Sequence, residues 1–304
     1  MTSWADRSLI ASGWYPPQAR TAETRLRYYA SRFSLVENDS AYYALPDRET
    51  VVHWVLRTPP GFTMNVKAHA LLTGHYTEPD HLPSDLRQRL PAPLRERPHV
   101  YPRELGSEML DELARRFRDA LAPLADGARL GVVLFQFPVW FPISRENKLE
   151  LARTRRQFAR YRIAIEFRNA TWMSARNREE TLELLRELGL VYTCVDEPQG
   201  FASSVPPIAV ATTDLALLRM HGRNAARWRR GAKTAAERFD YLYPENELRE
   251  WVPRVQRLAR ESEEVHVLFN NCHSDYAVRN ARSMVELLAS ASEPVELHRN
   301  FSPR

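Results

Sequence analysis

Eight short apolar runs, most of them stopping on a polar or charged residue, constrain this chain's fold more than any other feature of its sequence. One covers residues 9–13. Leu35 and Val36 stop at Glu37, residues 62–66 at Lys67, and residues 132–135 at Gln136. Residues 163–165 stop at Glu166 and Arg168, 191–195 at Asp196, 215–218 at Arg219 and His221, and 265–269 at Asn270 and Asn271. Helix-like segments separate almost all of them, and strands alternating with helices argue a parallel sheet covered by helices. Eight such units predict one α/β domain over residues 1–304, with its core at about residues 9–290. The expected architecture is a (β/α)8 TIM-type barrel. In that fold the residues at the carboxyl ends of the strands share one mouth, where active sites sit.

A length of 304 residues suits an undivided barrel. The first seven residues carry Asp6 and Arg7 and lack the apolar stretch of a secretory signal. No run nears the roughly 18 apolar residues of a membrane helix. Two cysteines, Cys194 and Cys272, make neither a disulfide framework nor a metal-binding spacing. The expectation is a cytoplasmic protein with no membrane partner. Long loops at residues 68–106, 197–214 and 222–246 should gather at the mouth and act as lids or binding loops.

Period-two alternation indicates which groups meet there. Ala164, Glu166 and Arg168 share one face of their strand. Thr63, Asn65 and Lys67 share another, as do Leu217, Arg219, His221 and Arg223, and also His266, Leu268 and Asn270. The interior mouth is expected to hold Glu37, Lys67, Gln136, Glu166, Arg168, Asp196, Arg219, His221 and Asn270. So many charges are costly to bury unless paired, and pairs of Glu166 with Arg219 and of Glu37 with Lys67 are the structural alternative to function. The net charge of +5 is modest, and only three of the 43 cationic side chains are lysines. Lys67 therefore stands out, because an ammonium can lose its proton when buried and a guanidinium does not.

An ordered set of segments resembles the YecE-like family, a domain-of-unknown-function family of (β/α)8 barrels. It comprises Ser12-Gly13-Trp14, residues 36–43 with Leu45-Pro46, Asn65-Val66-Lys67-Ala68 and Phe135-Gln136-Phe137-Pro138. Further along come Glu166-Phe167-Arg168, Asp196-Glu197-Pro198, residues 219–223, Phe269-Asn270-Asn271, Asp275-Tyr276-Ala277 and Arg279-Asn280-Ala281. The resemblance implies the barrel. It also implies that Glu37, Lys67, Gln136, Glu166, Arg168, Arg219, His221, Asn270, Asn271 and Asn280 belong to the characteristic mouth, and it implies no particular reaction. Asn38 and Ala41 depart from the family pattern beside Glu37, as do Cys272 and His273 after the Asn pair.

The leading functional expectation is an enzyme, a hydrolase or isomerase, acting on a small phosphorylated or sugar-like substrate. Glu166, Lys67, Glu37 and His221 would carry catalysis, with Glu166 as general acid or base. A variant uses Glu37 and Glu166 as a glycosidase carboxylate pair, which needs a separation of about 5 to 9.5 Å. Substrate would be held by Gln136, Arg168, Asp196, Arg219, Gly222, Arg223, Asn270, Asn271 and Asn280, with Tyr43 and Tyr276 stacking. Gly222 would admit an oxyanion and Arg223 would clamp it. The expected ligand is anionic or polyhydroxylated. No cofactor is expected, and a divalent metal is the lesser alternative because the histidines are dispersed and cations crowd the mouth. The other class of function is a nucleic-acid-binding or repair-type barrel gripping phosphates through Arg223, Arg227, Arg229 and Arg230, with Trp228 stacking on a base.

Overall fold

The computed structural model describes residues 1–230 and 235–291, with the side chains of Arg229, Arg230, Ala235 and Ala236 left out. Seven parallel strands follow one another in chain order around a nearly closed barrel of the (β/α)8 type. They are β1 (Leu35–Asn38), β2 (Thr63–Lys67), β3 (Leu130–Phe137), β4 (Ile163–Phe167), β5 (Val191–Asp196), β6 (Leu215–Met220) and β7 (Glu264–Phe269). The first expected strand is not one. Residues 9–11 lie in the helix Arg7–Ala11, because the Asp6 carboxylate caps it by accepting from the N–H groups of Ser8 and Leu9. The place between β7 and β1 is taken instead by the first residues of the chain. The N–H of Glu37 donates to the Met1 carbonyl at 2.9 Å, and the Thr2 hydroxyl donates to Asn270 Oδ1 at 2.8 Å.

Alternation along the strands divides the core into two layers. Leu35, Val132, Leu134, Ala164, Val191, Leu215, Leu217 and Leu268 fill the inside of the barrel. Their neighbours Val133, Phe135, Ile163, Ile165, Ala216 and Leu218 point outward into the layer beneath the helices. The helices meet that layer with apolar stripes. In the helix Glu245–Glu261 the buried residues are Leu248, Trp251, Val255 and Leu258, the three-and-four spacing of a single face. The segment between β2 and β3 is more than a loop. It carries the helices Ser84–Arg89 and Ala92–Arg95 around a small core of its own containing Leu82, Leu86, Leu90 and Val100. Among the described residues no helix is long and apolar enough to cross a membrane.

The floor below the mouth is polar at one level. The Asn65 side chain contacts His266 Nδ1 at 3.2 Å across the barrel and accepts from the N–H of Val132 at 3.0 Å. Gly131 makes room for it, since a Cβ there would lie 2.2 Å from Asn65 Oδ1 and 2.7 Å from the Thr63 methyl. Gly131→Ala should therefore destabilise the protein by about 1–3 kcal/mol through overpacking. Urea unfolding monitored by far-UV circular dichroism checks this, and a change under about 0.5 kcal/mol would mean that the barrel floor yields.

Candidate functional site

Glu37 is the last residue but one of β1, Glu166 of β4 and Arg219 of β6, and all three side chains are fully buried. Arg219 joins them. One terminal nitrogen of its guanidinium donates to Glu166 Oε2 and the other to Glu37 Oε1. Glu37 is thus paired with Arg219, contrary to the expected pairing with Lys67, because the long guanidinium reaches across the barrel from β6. The same arrangement weighs against the glycosidase variant, because the guanidinium lies between the two carboxylates and binds an oxygen of each.

Glu166 is engaged on both oxygens, with Oε2 bound to Arg219. Its Oε1 accepts from Gln136 Nε2 at 2.7 Å and from Arg168 Nη2 at 2.8 Å, and lies 3.2 Å from His221 Nε2. The parallel register sets Gln136 directly opposite Glu166, which supplies the first of these bonds. Burial alone would raise the Glu166 pKa, but Arg168, Arg219 and His221 outweigh it and hold the carboxyl well below the usual range. These neighbours hold it as a carboxylate at neutral pH. Behind it, Arg168 also pairs with buried Glu197. Burial pushes Glu197 up to about 7 against the pull of Arg168.

His221 is likewise held in one state. Asn270 Oδ1 accepts from Thr2, so the Asn270 amide donates to His221 Nδ1 at 2.9 Å and the ring proton sits on Nε2, toward Glu166. Burial, reinforced by Arg168, brings His221 down to about 3, so the imidazole is neutral at physiological pH.

The β1–β2 side of the mouth differs. Glu37 Oε2 and Asp39 Oδ1 are buried without a hydrogen-bond partner. Burial raises Glu37 to about 7, with Arg219 opposing. Lys67 is only partly buried, and its Nζ lies 4.4 Å from the centre of the Tyr42 ring. Among the described residues this ammonium has no hydrogen bond and no ion pair, and burial lowers its pKa. His75, in ring contact with Tyr42 at 5.5 Å, completes this wall. Burial and the nearby Lys67 take His75 down to about 3.

Several expected binding residues stand behind the mouth rather than in it. Asp196 points outward and accepts from the Trp251 indole, the Tyr243 hydroxyl at 3.1 Å and Arg223 through two nitrogens. Arg223 also meets Glu250 at 2.9 Å, so it is held by carboxylates of the protein. Gly222, at φ +88°, donates its N–H to the Tyr243 hydroxyl, and a Cβ would lie 2.7 Å from that of Tyr241. Asn271 donates to the Tyr241 carbonyl, and Asn280 accepts from the N–H of Tyr243 and donates to its carbonyl, pinning this loop to the barrel. Tyr43 is 56% exposed at the rim, Tyr276 is half-buried, and Arg227 is exposed.

Trp228 belongs to the mouth. Its indole donates to Ser203 Oγ at 3.0 Å, and the Arg168 guanidinium lies 5.4 Å from its ring. Phe239 follows, 5.8 Å from the His221 ring. The side chains of Arg229 and Arg230 lie outside the described residues. Sequence reasoning missed Tyr42, His75, Asp39 and Glu197 as parts of the site. Asp39 and Tyr42 follow Glu37 so closely that their place beside it was the one available signal. Among the described residues no three His, Cys, Asp or Glu side chains converge as a metal site.

Four carboxylates, of Glu37, Asp39, Glu166 and Glu197, thus face the three cations Lys67, Arg168 and Arg219. Such a mouth has one carboxyl group more than it has cations, with unpartnered groups left over on one side. Comparison with known proteins places it among relatives. A family model described as "Protein of unknown function DUF72" matches residues 1–303. The UPF0759 protein YunF of Bacillus subtilis (strain 168) is 33% identical over 292 residues, covering 95% of this chain and 93% of that protein. A crystal structure of a DUF72 family protein from Thermotoga maritima MSB8 is similar at a TM-score of 0.74 and 30% identity, over 95% of this chain and 97% of the other. One from Enterococcus faecalis V583 is similar at a TM-score of 0.73 and 30% identity, over 90% and 92%.

Arg219→Met would leave two carboxylates buried without their counter-charge, which costs about 3–5 kcal/mol at pH 7. In the wild type, the depressed pKa of Glu166 contributes stability that is present above the unfolded pKa and lost as pH falls through the folded one. In the variant the stranded carboxyls take up protons at higher pH, so the deficit should be smaller at pH 5 than at pH 7. Urea unfolding at both pH values decides, and an equal loss at each would show that the cost lies in packing and not in charge.

Proposed function

The chain belongs to the DUF72 family of proteins of unknown function, and on that premise we propose that its barrel mouth is an active site performing proton transfer on a small, sugar-like or singly phosphorylated substrate. The observation that carries this reading is Glu37, a buried carboxyl with one oxygen bound to Arg219 and the other without a partner. A general acid or base works best with a pKa near the working pH, and burial brings Glu37 to about 7. Glu166 is then its electrostatic opposite, an anion that fixes Arg168, Arg219 and His221 in place. Two carboxyls on one guanidinium held in different ionisation states are the arrangement that separates a proton carrier from a charge stabiliser.

Charge matching narrows the ligand. Arg168 and Arg219 are already bound to carboxylates, leaving Lys67 to meet a single anionic or carbonyl oxygen. The neutral His221, Gln136 and the rim aromatics suit hydroxyl groups and an apolar sugar face. Trp228 and Arg223 have partners within the protein, and no observation favours their use on nucleic acid.

A thermal-shift panel of sugars, sugar monophosphates and short DNA and RNA tests the reading. A ligand at about 100 times its Kd should add about 2.7 kcal/mol of stability to the wild type, and Lys67→Met should remove the gain. For a ligand that is turned over, the pH profile of kcat/KM should bend near pH 7, and Glu37→Gln should lower the rate by about 10² to 10⁴ and erase that bend. Stabilisation by nucleic acid alone, indifferent to Lys67, would overturn the proposal.

A further inference from the structure

Lys67 is placed differently from every other cation in the mouth. The guanidiniums of Arg168 and Arg219 each bind two carboxylates, whereas the Lys67 amine meets only the face of the Tyr42 ring. Glu37 lies on the adjacent strand, opposite Asn65 and hence one inward position below Lys67, with an oxygen to spare. Asp39, just beyond the end of β1, carries a second buried oxygen without a partner. An amine that only had to attract an anion would gain nothing from unsatisfied carboxylate oxygens close by. An amine that changes its bonding would use them as proton donors and acceptors.

From this juxtaposition of an unpaired lysine amine, an aromatic face and a half-free carboxyl, we infer that Lys67 condenses with the carbonyl group of an aldehyde or ketone substrate to form a protonated imine. The inference rests on the mouth being a substrate site, as proposed above, and names the substrate class. The Nζ lone pair forms the N–C bond while the carbonyl π pair moves to oxygen. Glu37 donates a proton to that oxygen and takes one from nitrogen, giving a neutral carbinolamine. A second proton from Glu37 lets the hydroxyl leave as water, and the nitrogen lone pair completes the C=N bond. The product is a cationic imine beside the Glu37 carboxylate. Its positive charge sits where the ammonium was, so the Tyr42 face and the carboxylates of Asp39, Glu37 and Glu166 stabilise it equally. Burial lowers the Lys67 pKa, which enlarges the neutral, nucleophilic share of the amine at neutral pH.

The test has few competing amines, because Lys148 and Lys233 are the only other lysines and the Met1 amine is buried and donates to the Tyr29 hydroxyl at 3.1 Å. Lys148 pairs with Glu180 on the helical surface, and Lys233 lies outside the described residues. The full chain is incubated at pH 7 with glycolaldehyde, dihydroxyacetone or pyruvate, with and without sodium cyanoborohydride, then weighed intact and mapped by peptide mass. The expected result is one reduced adduct per chain, on Lys67, formed at least tenfold faster than on Lys148 or Lys233. Lys67→Arg keeps the charge and should yield no adduct at that position, while Glu37→Gln should slow the adduct at least tenfold. Equal labelling of all three lysines overturns the inference. A carbonyl compound that stabilises the wild type thermally yet leaves no adduct also overturns it, while the mouth survives as a binding site. If none of the carbonyl compounds and none of the sugars shifts the melting curve, both readings fail together.

Discussion

A guanidinium buried to the last percent of its surface fixes most of what surrounds it. Arg219 cannot shed its charge, so it needs carboxylates, and it takes one from β4 and one from β1 across the barrel. Glu166, held from below by Arg219, becomes the acceptor for Gln136, Arg168 and the His221 ring. Arg168 then recruits Glu197 and lies against Trp228, which carries the arrangement into the loop above the mouth. Removing any one member leaves a buried charge or a buried donor without its partner. The network is therefore a single cooperative unit and not a collection of separable bonds.

Its two carboxylates end up unequal. Glu166 is surrounded by donors and cations, while Glu37 shares one oxygen with Arg219 and keeps the other free. The same amino acid is thereby a permanent anion at one strand end and a titratable group at another. Burial works in the same direction on both; the number of positive neighbours decides which way each pKa moves. An unsatisfied buried oxygen costs roughly 1–3 kcal/mol, and a fold that retains one beside an unpaired lysine has given up stability at that spot.

Much of this is legible in the chain itself. Where a strand alternates small or polar with bulky residues, as in Ala164-Ile165-Glu166-Phe167, period two assigns the inward face, and Glu166, Arg219 and His221 do meet, with Lys67 against Tyr42 on another wall of the same mouth. Asp196 was misplaced because the run before it is apolar almost throughout and carries no alternation to read; its side chain turns outward to Trp251 and Tyr243. The first expected strand failed because Asp6 caps a helix there, a local hydrogen bond that outweighs a short apolar run. Partner choice was illegible for a different reason. Whether Glu37 meets Lys67 or Arg219 depends on reach across the barrel, which no spacing along the chain encodes. Gly222, Asn271 and Asn280 carry the look of a ligand loop, yet each serves Tyr241 or Tyr243 through the backbone or an amide.

What the mouth does with its remaining freedom follows from how its two halves differ. From β3 round to β7, Gln136, Glu166, Arg168, Arg219, His221 and Asn270 are bonded to one another, so a substrate of the proposed kind would meet fixed groups there rather than mobile ones. Preorganised groups of this kind stabilise developing charge without having to reorganise when it appears. On the β1–β2 side, Glu37, Asp39 and Lys67 keep the unspent valences, and Tyr42 and His75 enclose them. A reacting centre seated against the rigid half would present its changing bonds to the half that still has protons and a lone pair to give. That division, with stabilisation on one wall and chemistry on the other, is why the proposed reactive roles fall to Glu37 and Lys67 even though Glu166 lies at the centre of the network.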